Sequence, residues 1–395
     1  MESIETKVKG FMNALTPSAT LAITAKAKAL KAAGEDVCSM SAGEPDFDTP
    51  TNIKEAAVKA LANGKTKYTP ESGIPALKEA IAEKFMKENG IKTSPKQIIT
   101  GPGAKFSVFS AVAALCGPGD EVILPAPYWV SYPEMVKACG AKIVAINCSA
   151  ANNYELVPSE LEAAVTPNTK LLILNSPSNP TGAVYRKETI QAIADIAVKH
   201  NFMVLADEIY EKLVYDSEFP HVSIGSLNDK INALTITVNG FSKAYAMTGW
   251  RLGYLSAPEW LAKRISALQS HTTSHPTSFV QEAGVEALNG DQSAVEEMRQ
   301  SFQKRRDLIY SLMSAIPGMK CIRPTGAFYI FCDISAFGLS SWQFSEKLLE
   351  QEKVAVIPGE PFGAEGNIRL SYACGEDTIR KAVERIAEFC ASLKK

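Results

Sequence analysis

The sequence predicts an α/β protein: a large domain built on a mostly parallel sheet between helices, followed by a smaller α+β domain. Three observations carry that expectation. Between positions 53 and 255, short apolar runs alternate with segments of helical periodicity, the pattern of strands joined by helical crossovers. Beyond Pro258 the texture changes to long helical stretches and then to a short set of strand-like runs. The 395 residues also suffice for about two domains, each with its own core.

Taken in order, residues 21–33 form an amphipathic helix and 37–40 a strand-like run, a piece expected to join the smaller domain across a hinge. Helical patterns follow at 53–61 and 74–89. Residues 98–105 read as strand, glycine turn (Gly101 and Gly103) and helix start, and the helix continues to 116. Strand-like runs at 121–124, 142–146, 170–174, 202–205, 234–238 and 251–255 then alternate with helical ones such as 133–139 and 187–200. In the second part, 278–288 and 293–315 are helical, 326–331, 354–357 and 368–371 are strand-like, and a last helix starts near Asp377. The expected division is an amino-terminal arm with part of the smaller domain at 1–48, the large domain at 49–285, and the rest of the smaller domain at 286–395.

Composition narrows the function. A net charge of −2, with Lys and Glu interspersed, argues against a general nucleic-acid binder. No apolar stretch is long enough to span a bilayer, and the first five residues lack the basic-then-apolar pattern of a signal peptide. A soluble cytoplasmic protein is expected. The eight cysteines show no paired short spacings and the four histidines no ligand spacing, so neither a disulfide framework nor a metal is expected.

The chemistry gathers where apolar runs end. Lys243 follows the run at 234–238, Asp207 and Tyr210 follow the run ending at Leu205, and Asn179 follows the run at 170–174. Open α/β sheets bind ligands at the carboxyl ends of their strands, so three successive runs deliver these side chains to one crevice. A lysine amine can condense with an aldehyde cofactor and then move a proton, which makes one residue both anchor and catalyst. A carboxylate such as Asp207 favours a protonated ring nitrogen, and Asn179 with Tyr210 can hold a ring hydroxyl as an acceptor. The glycine turn before Ala104 and Lys105 offers helix-start N–H groups to a phosphate, with Arg251 as a further cation. Together these describe a pocket for pyridoxal 5'-phosphate. Each piece alone has an ordinary structural explanation, a turn for 179–182 or a solvated loop for Lys243; their order and spacing carry the argument.

Longer segments, at 17–20, 41–50, 67–70, 127–133 and 246–251, resemble the fold type I, aspartate aminotransferase superfamily of pyridoxal phosphate enzymes, in its bacterial class I subgroup. The resemblance covers nearly the whole chain. It implies a seven-stranded sheet in the large domain, Lys243 as the cofactor lysine, and Asp207 as the ring-nitrogen partner. Asn179 and Tyr210 would then stand at the ring hydroxyl, with Trp129 stacked on the ring. Gly103, Ala104, Lys105, Ser242 and Arg251 would form the phosphate cup. Relatives often carry a serine three positions before the lysine; here that position is Gly240, which shifts part of the cup to Ser242. Tyr68 would reach the phosphate of a neighbouring subunit, making the active unit a homodimer with shared sites. Arg369 and Gly43 would receive the substrate α-carboxylate. Lys105, Ser18 and Thr20, helped by the partner's segment 270–274, would receive a distal carboxylate.

The resemblance therefore implies a transaminase acting between L-aspartate and 2-oxoglutarate, with prephenate a further substrate of some relatives. Two alternatives stand beside it: an aminotransferase for aromatic or neutral amino acids, and a β-lyase on the same fold. A cofactor-sensing regulator would need an added basic helix-turn-helix module, for which the residues before Gly43 leave no room.

Overall fold

The structure, a computed structural model, describes residues 10–393. Residues 1–5, expected to lack a signal pattern, lie outside the described residues, as does the rest of 1–9 of the expected arm.

The strands in chain order are β1 (Cys38–Ser39), β2 (Ile98–Gly101), β3 (Glu121–Ala126), β4 (Lys142–Asn147), β5 (Thr169–Asn175), β6 (Met203–Asp207), β7 (Thr235–Gly240) and β8 (Gly253–Ser256). After them come β9 (Lys320–Cys321), β10 (Tyr329–Asp333), β11 (Val354–Ala355), β12 (Ile357–Pro358) and β13 (Asn367–Ser371). Seven of them form one sheet in the order β2-β8-β7-β6-β5-β3-β4, in which β8 runs antiparallel to both neighbours and the other pairings are parallel.

Side-chain alternation explains why the central strands read as continuous apolar runs. Val122, Leu124, Leu171, Ile173 and Leu205 point to one face, against Val108 and Val112 of the helix Ala104–Leu115 and Leu261 and Ile265 of the helix Glu259–Ser270. Ile123, Leu172, Leu174 and Val204 point to the other, against Ile190, Ile193 and Ala197 of the helix Lys187–His200. A strand covered on both faces has no polar side to display. Each such Leu or Ile, fully buried, contributes about 1.5–3 kcal/mol.

A second, antiparallel sheet has the order β12-β13-β10-β9. It is covered by a core that includes Phe302, Phe344, Ile386 and Phe389 from three long helices. β1 pairs in parallel with β11, Cys38 opposite Val354, so the amino-terminal strand joins this later part of the chain.

Two strand-like runs differ from expectation. Residues 354–357 are not one strand: β11 pairs with β1 and β12 with β13, with Val356 buried between. A continuous apolar run carries no period that tells which sheet each residue joins. β10 begins at Tyr329 rather than 326, because the Gly326 and Ala327 N–H groups donate instead to the Gly182 and Leu213 carbonyls, 2.8 Å each.

The site follows from this topology. β4 lies outside β3 while β5 lies on its other side, so the strand order reverses there and a crevice opens beyond the strand ends. Asn175 and Asp207 are in register at that edge, with Asp207 opposite Val238.

Candidate active site

One end of the crevice is built for an anion. Gly103, at φ 87°, turns the chain from β2 into the helix Ala104–Leu115, whose first turn holds no acidic residue. The Gly103 and Phe106 N–H groups donate to the Gly101 and Gly103 carbonyls at 2.7 and 3.0 Å, so the N–H groups of Ala104 and Lys105, with the positive end of the helix dipole, are the ones left for an anion. Arg251, itself left-handed at φ 53°, donates to the Thr248 carbonyl at 2.8 Å and the Pro102 carbonyl at 3.4 Å. Its guanidinium covers the face where a Cβ on Gly103 would sit. Ser242 and Ala104 line the crevice beside it. Gly240 does not, and a side chain there would be crowded: a Cβ would come 3.1 Å from Gly253 Cα and 3.3 Å from the Leu252 carbonyl oxygen.

At the centre, Lys243 follows β7 in a turn, and its ammonium donates to the Gly43 carbonyl. Burial of that ammonium pulls its pKa down to about 8, opposed by the charge of Glu44. Asp207, the last residue of β6, accepts from the Tyr132 hydroxyl at 2.7 Å and the Ile209 N–H at 3.3 Å. Burial pushes its carboxyl up to about 6, and the Tyr132 bond acts against that rise. Tyr210 shares a 2.8 Å hydrogen bond with Tyr329.

The other end suits a carboxylate. Arg369, on β13, is 1% exposed; it donates to Asn179 Oδ1 at 2.9 Å and to the Ser41 carbonyl at 2.8 Å, while its Nε is buried without a partner. Its guanidinium lies 4.4 Å from the centre of the Tyr329 ring. Desolvation pulls its pKa down. Gly43 is where a Cβ would come 2.9 Å from the Tyr329 hydroxyl, so the close approach requires glycine. Lys105 sits at the mouth with its ammonium 4.9 Å from the centre of the Trp129 indole. Although the side chain is exposed by area, the protein around its ammonium lowers its pKa, with Arg251 adding to the effect. Ser18 caps the helix Ala19–Ala32 and lines the same crevice with Thr20.

The crevice holds about 390 Å³. Lys243, Asp207, Arg251 and Arg369 all face it, and among the described residues none of the four has an ion-pair partner. Lys243, Asp207 and Arg369 are buried or half-buried charges, which are normally paired, and Arg251 adds an exposed cation at the anion end, so the set calls for a ligand bearing a cation, an anionic phosphate and a carboxylate. A wider depression of about 630 Å³ lies around Arg186, Tyr215 and Arg323. Its arginines are already paired, Arg186 with Glu155 at 2.7 Å and Arg323 with Asp216 at 3.3 Å, so size alone does not locate the chemistry.

Residues 35–386 match the family described as aminotransferase class I and II. The chain belongs to that family. The aminotransferase is 47% identical over 380 residues to an aspartate aminotransferase of Geobacillus stearothermophilus, covering 95% of this chain and 96% of that one. It is 46% identical over 379 residues to an aspartate/prephenate aminotransferase of Thermus thermophilus, covering 95% and 97%. Among solved structures, the aspartate aminotransferase from Thermus thermophilus with maleate has a TM-score of 0.93 at 45% identity, over 96% of this chain and 99% of that one. The fold expected from the resemblance is thus the fold observed, and the chain is a transaminase.

Of the residues singled out in the sequence, the aminotransferase brings Lys243, Asp207, Tyr210, Asn179, Ser242, Arg251, Ala104, Lys105, Trp129, Gly43, Arg369, Ser18 and Thr20 to one crevice. Gly103 shapes its wall. Tyr68 stands apart from it, 93% exposed, edge-on to His275. Sequence reasoning missed Tyr132, Tyr329, Asn175, Glu44 and Thr248. Asn175 bridges two loops: its amide donates to the Asp207 carbonyl and its oxygen accepts from the Asn179 N–H, at 2.9 and 2.8 Å. Thr248 donates to Glu44 at 3.0 Å and so ties the phosphate turn to the segment beside Gly43. A buried cluster of Glu208, Glu211 and His221 also escaped notice. The Lys84 ammonium pairs there with Glu211.

Proposed function

We propose that this aminotransferase holds pyridoxal 5'-phosphate in the crevice and moves an amino group between L-aspartate and 2-oxoglutarate. The observation that carries the reading is the set of four uncompensated charges facing one cavity, each matched by one feature of the cofactor or of an amino-acid substrate. When bound, the cofactor supplies an aldehyde carbon that takes up the amino group and an electron-poor ring that lets the substrate α-proton leave.

The chain's own groups do the rest. The Lys243 amine would hold the cofactor and would move the substrate α-proton; a pKa near 8 leaves part of it neutral at physiological pH. Asp207 keeps the ring nitrogen protonated, while Tyr132 holds that carboxylate ionised and in place. Tyr210 and Asn179 flank the ring hydroxyl, and Trp129 offers a flat face to the ring. Ala104 and Lys105 would give N–H groups to the phosphate, with Ser242 and Arg251 completing the cup, while the Gly103 N–H, expected to join them, donates to the Gly101 carbonyl at 2.7 Å. Arg369 grips the α-carboxylate with two parallel donors, beside Gly43. Lys105, Ser18 and Thr20 are assigned to the distal carboxylate, a reading supported by the relative solved with maleate, itself a dicarboxylate.

The same reading makes the enzyme a homodimer in which Tyr68 completes the partner's phosphate cup, with the exposed segment 270–274 beside it. It divides the chain at 1–48, 49–285 and 286–395, the outer parts closing over substrate, and the pairing of β1 with β11 supports that grouping. A cytoplasmic location is part of it, in keeping with eight cysteines that carry no disulfide. No helix among the described residues is long and apolar enough to cross a membrane.

The deciding experiment is an amino-donor panel with 2-oxoglutarate, run beside prephenate with glutamate or aspartate as donor. The reading expects aspartate to have the highest kcat/KM of the panel. A higher value for phenylalanine or a neutral amino acid would overturn it, and turnover of prephenate would extend it.

A further inference from the structure

β9 and β10 set two thiols against each other at the edge of the second sheet. Cys321, the last residue of β9, lies directly opposite Cys332 in the antiparallel ladder, and the two sulfurs are 2.7 Å apart. Opposed residues of an antiparallel pair have Cα atoms about 4.5–5.5 Å apart, inside the range that disulfides span. The two environments differ. Cys332 is fully buried, whereas Cys321, on the two-residue edge strand, is partly exposed. Of the two, Cys321 is the residue nearer solvent, packed at the margin of the core that buries Cys332.

We propose that Cys321 and Cys332 are a site of thiol–disulfide exchange, which closes into a cross-strand disulfide when the enzyme meets a small disulfide of the glutathione type. In the first step the Cys321 thiolate attacks one sulfur of the small disulfide; that sulfur–sulfur bond breaks, a mixed disulfide forms, and one small thiol departs with a proton. In the second step the Cys332 sulfur gives up its proton and attacks Cys321 Sγ, releasing the second small thiol. Two protein thiols are oxidised, one small disulfide is reduced to two thiols, and both protons leave with them. Burial raises the Cys332 thiol well above its ordinary pKa, which makes the second step the slow one.

The position of the bridge gives it a consequence at the active site. It closes the loop 322–331, which contains Gly326 and Ala327, bonded to the Gly182 and Leu213 carbonyls, and Tyr329, bonded to Tyr210. The tyrosine that packs on Arg369 would then be held from both ends of its loop.

The test is intact-mass spectrometry of the native holoenzyme after incubation with oxidised glutathione, followed by peptide mapping. The proposal expects a product lighter by two hydrogens, a joined peptide pair containing Cys321 and Cys332, and reversal by dithiothreitol. Cys332→Ser should stop at a glutathione adduct on Cys321. Cys321→Ser, at the partly exposed position where folding is least at risk, should give neither bridge nor adduct on Cys332. An adduct on Cys321 that never resolves in the wild type, a bridge between other cysteines, or an unreactive pair in native protein that reacts once unfolded would each overturn the proposal.

Discussion

Lys243 is the residue whose environment makes the sharpest statement about pH. A free lysine with a pKa near 10.4 is almost wholly charged at pH 7, and a charged amine cannot attack an aldehyde. Burial lowers this one to about 8. The neutral fraction at pH 7 is then roughly two-hundredfold larger than at the unshifted value. The rate at which the cofactor-free protein captures pyridoxal 5'-phosphate should therefore rise with pH and level off above about 8. Stopped-flow absorbance would show this, and a rise that continued toward pH 10 would mean the amine is not desolvated. Asp207 is shifted the other way, but it too must lose its proton to act. Its carboxyl, pushed up to about 6, must be ionised to pair with a ring cation, so affinity for the cofactor should fall as pH drops through that value. Tyr132→Phe removes the 2.7 Å bond that opposes the rise. It should move the acid limb to higher pH and lower kcat/KM about ten- to a hundredfold, the worth of a hydrogen bond to a charged group. An unchanged limb would make Tyr132 a packing residue only. Lys105→Ala leaves the backbone N–H near the phosphate and removes the side-chain charge, so aspartate should lose about ten- to a hundredfold more kcat/KM than phenylalanine. Equal losses would show that Lys105 does not read the substrate side chain. The residues legible in the sequence, Lys243, Asp207 and Asn179, follow apolar runs and carry unusual groups. Tyr132 and Tyr329 are aromatic residues 75 and 119 positions from the side chains they bond, Asp207 and Tyr210. Nothing local marks them.

At the scale of elements, the crevice depends on glycines where strands converge. Gly101, Gly240 and Gly253 lie side by side at the ends of β2, β7 and β8, and a Cβ on Gly253 would collide with the Ala104 backbone. Gly103 adds a left-handed φ of 87° and the guanidinium of Arg251 stacked over it. Gly103→Ala would impose backbone strain of about 1–3 kcal/mol and displace that arginine. Cofactor affinity should fall at least about tenfold by equilibrium titration, a loss of about 1.4 kcal/mol or more. Unchanged affinity would mean that neither the turn nor Arg251 holds the phosphate. The helices read from the sequence were legible to within a few residues, as with 187–200, because a 3.6-residue period survives over many turns, whereas Pro158–Ala164 and Ser341–Glu352 were not read as helices. The split of 354–357 between two sheets and the late start of β10 were not, since both depend on partners distant in sequence.

For the whole molecule, the informative side chain is one that the single chain leaves exposed. Tyr68 is 93% exposed, its ring touching His275 edge-on. If it completes the phosphate cup of a second copy, each active site draws Lys243 from one chain and Tyr68 from the other. A Tyr68→Ala homodimer then has two cups short of a donor, and a Lys243→Ala homodimer has two sites short of the amine. Exchanging subunits between the two yields heterodimers in which one site carries both lesions and the other neither. With equal amounts and free exchange, about half the dimers are mixed and half of their sites are intact, so roughly a quarter of wild-type activity should return. The readout is the rate with aspartate and 2-oxoglutarate before and after exchange at fixed total protein. Verified heterodimers without recovered activity would place Tyr68 outside the site. Recovery would show that the pocket seen in one chain is complete only in the assembled pair.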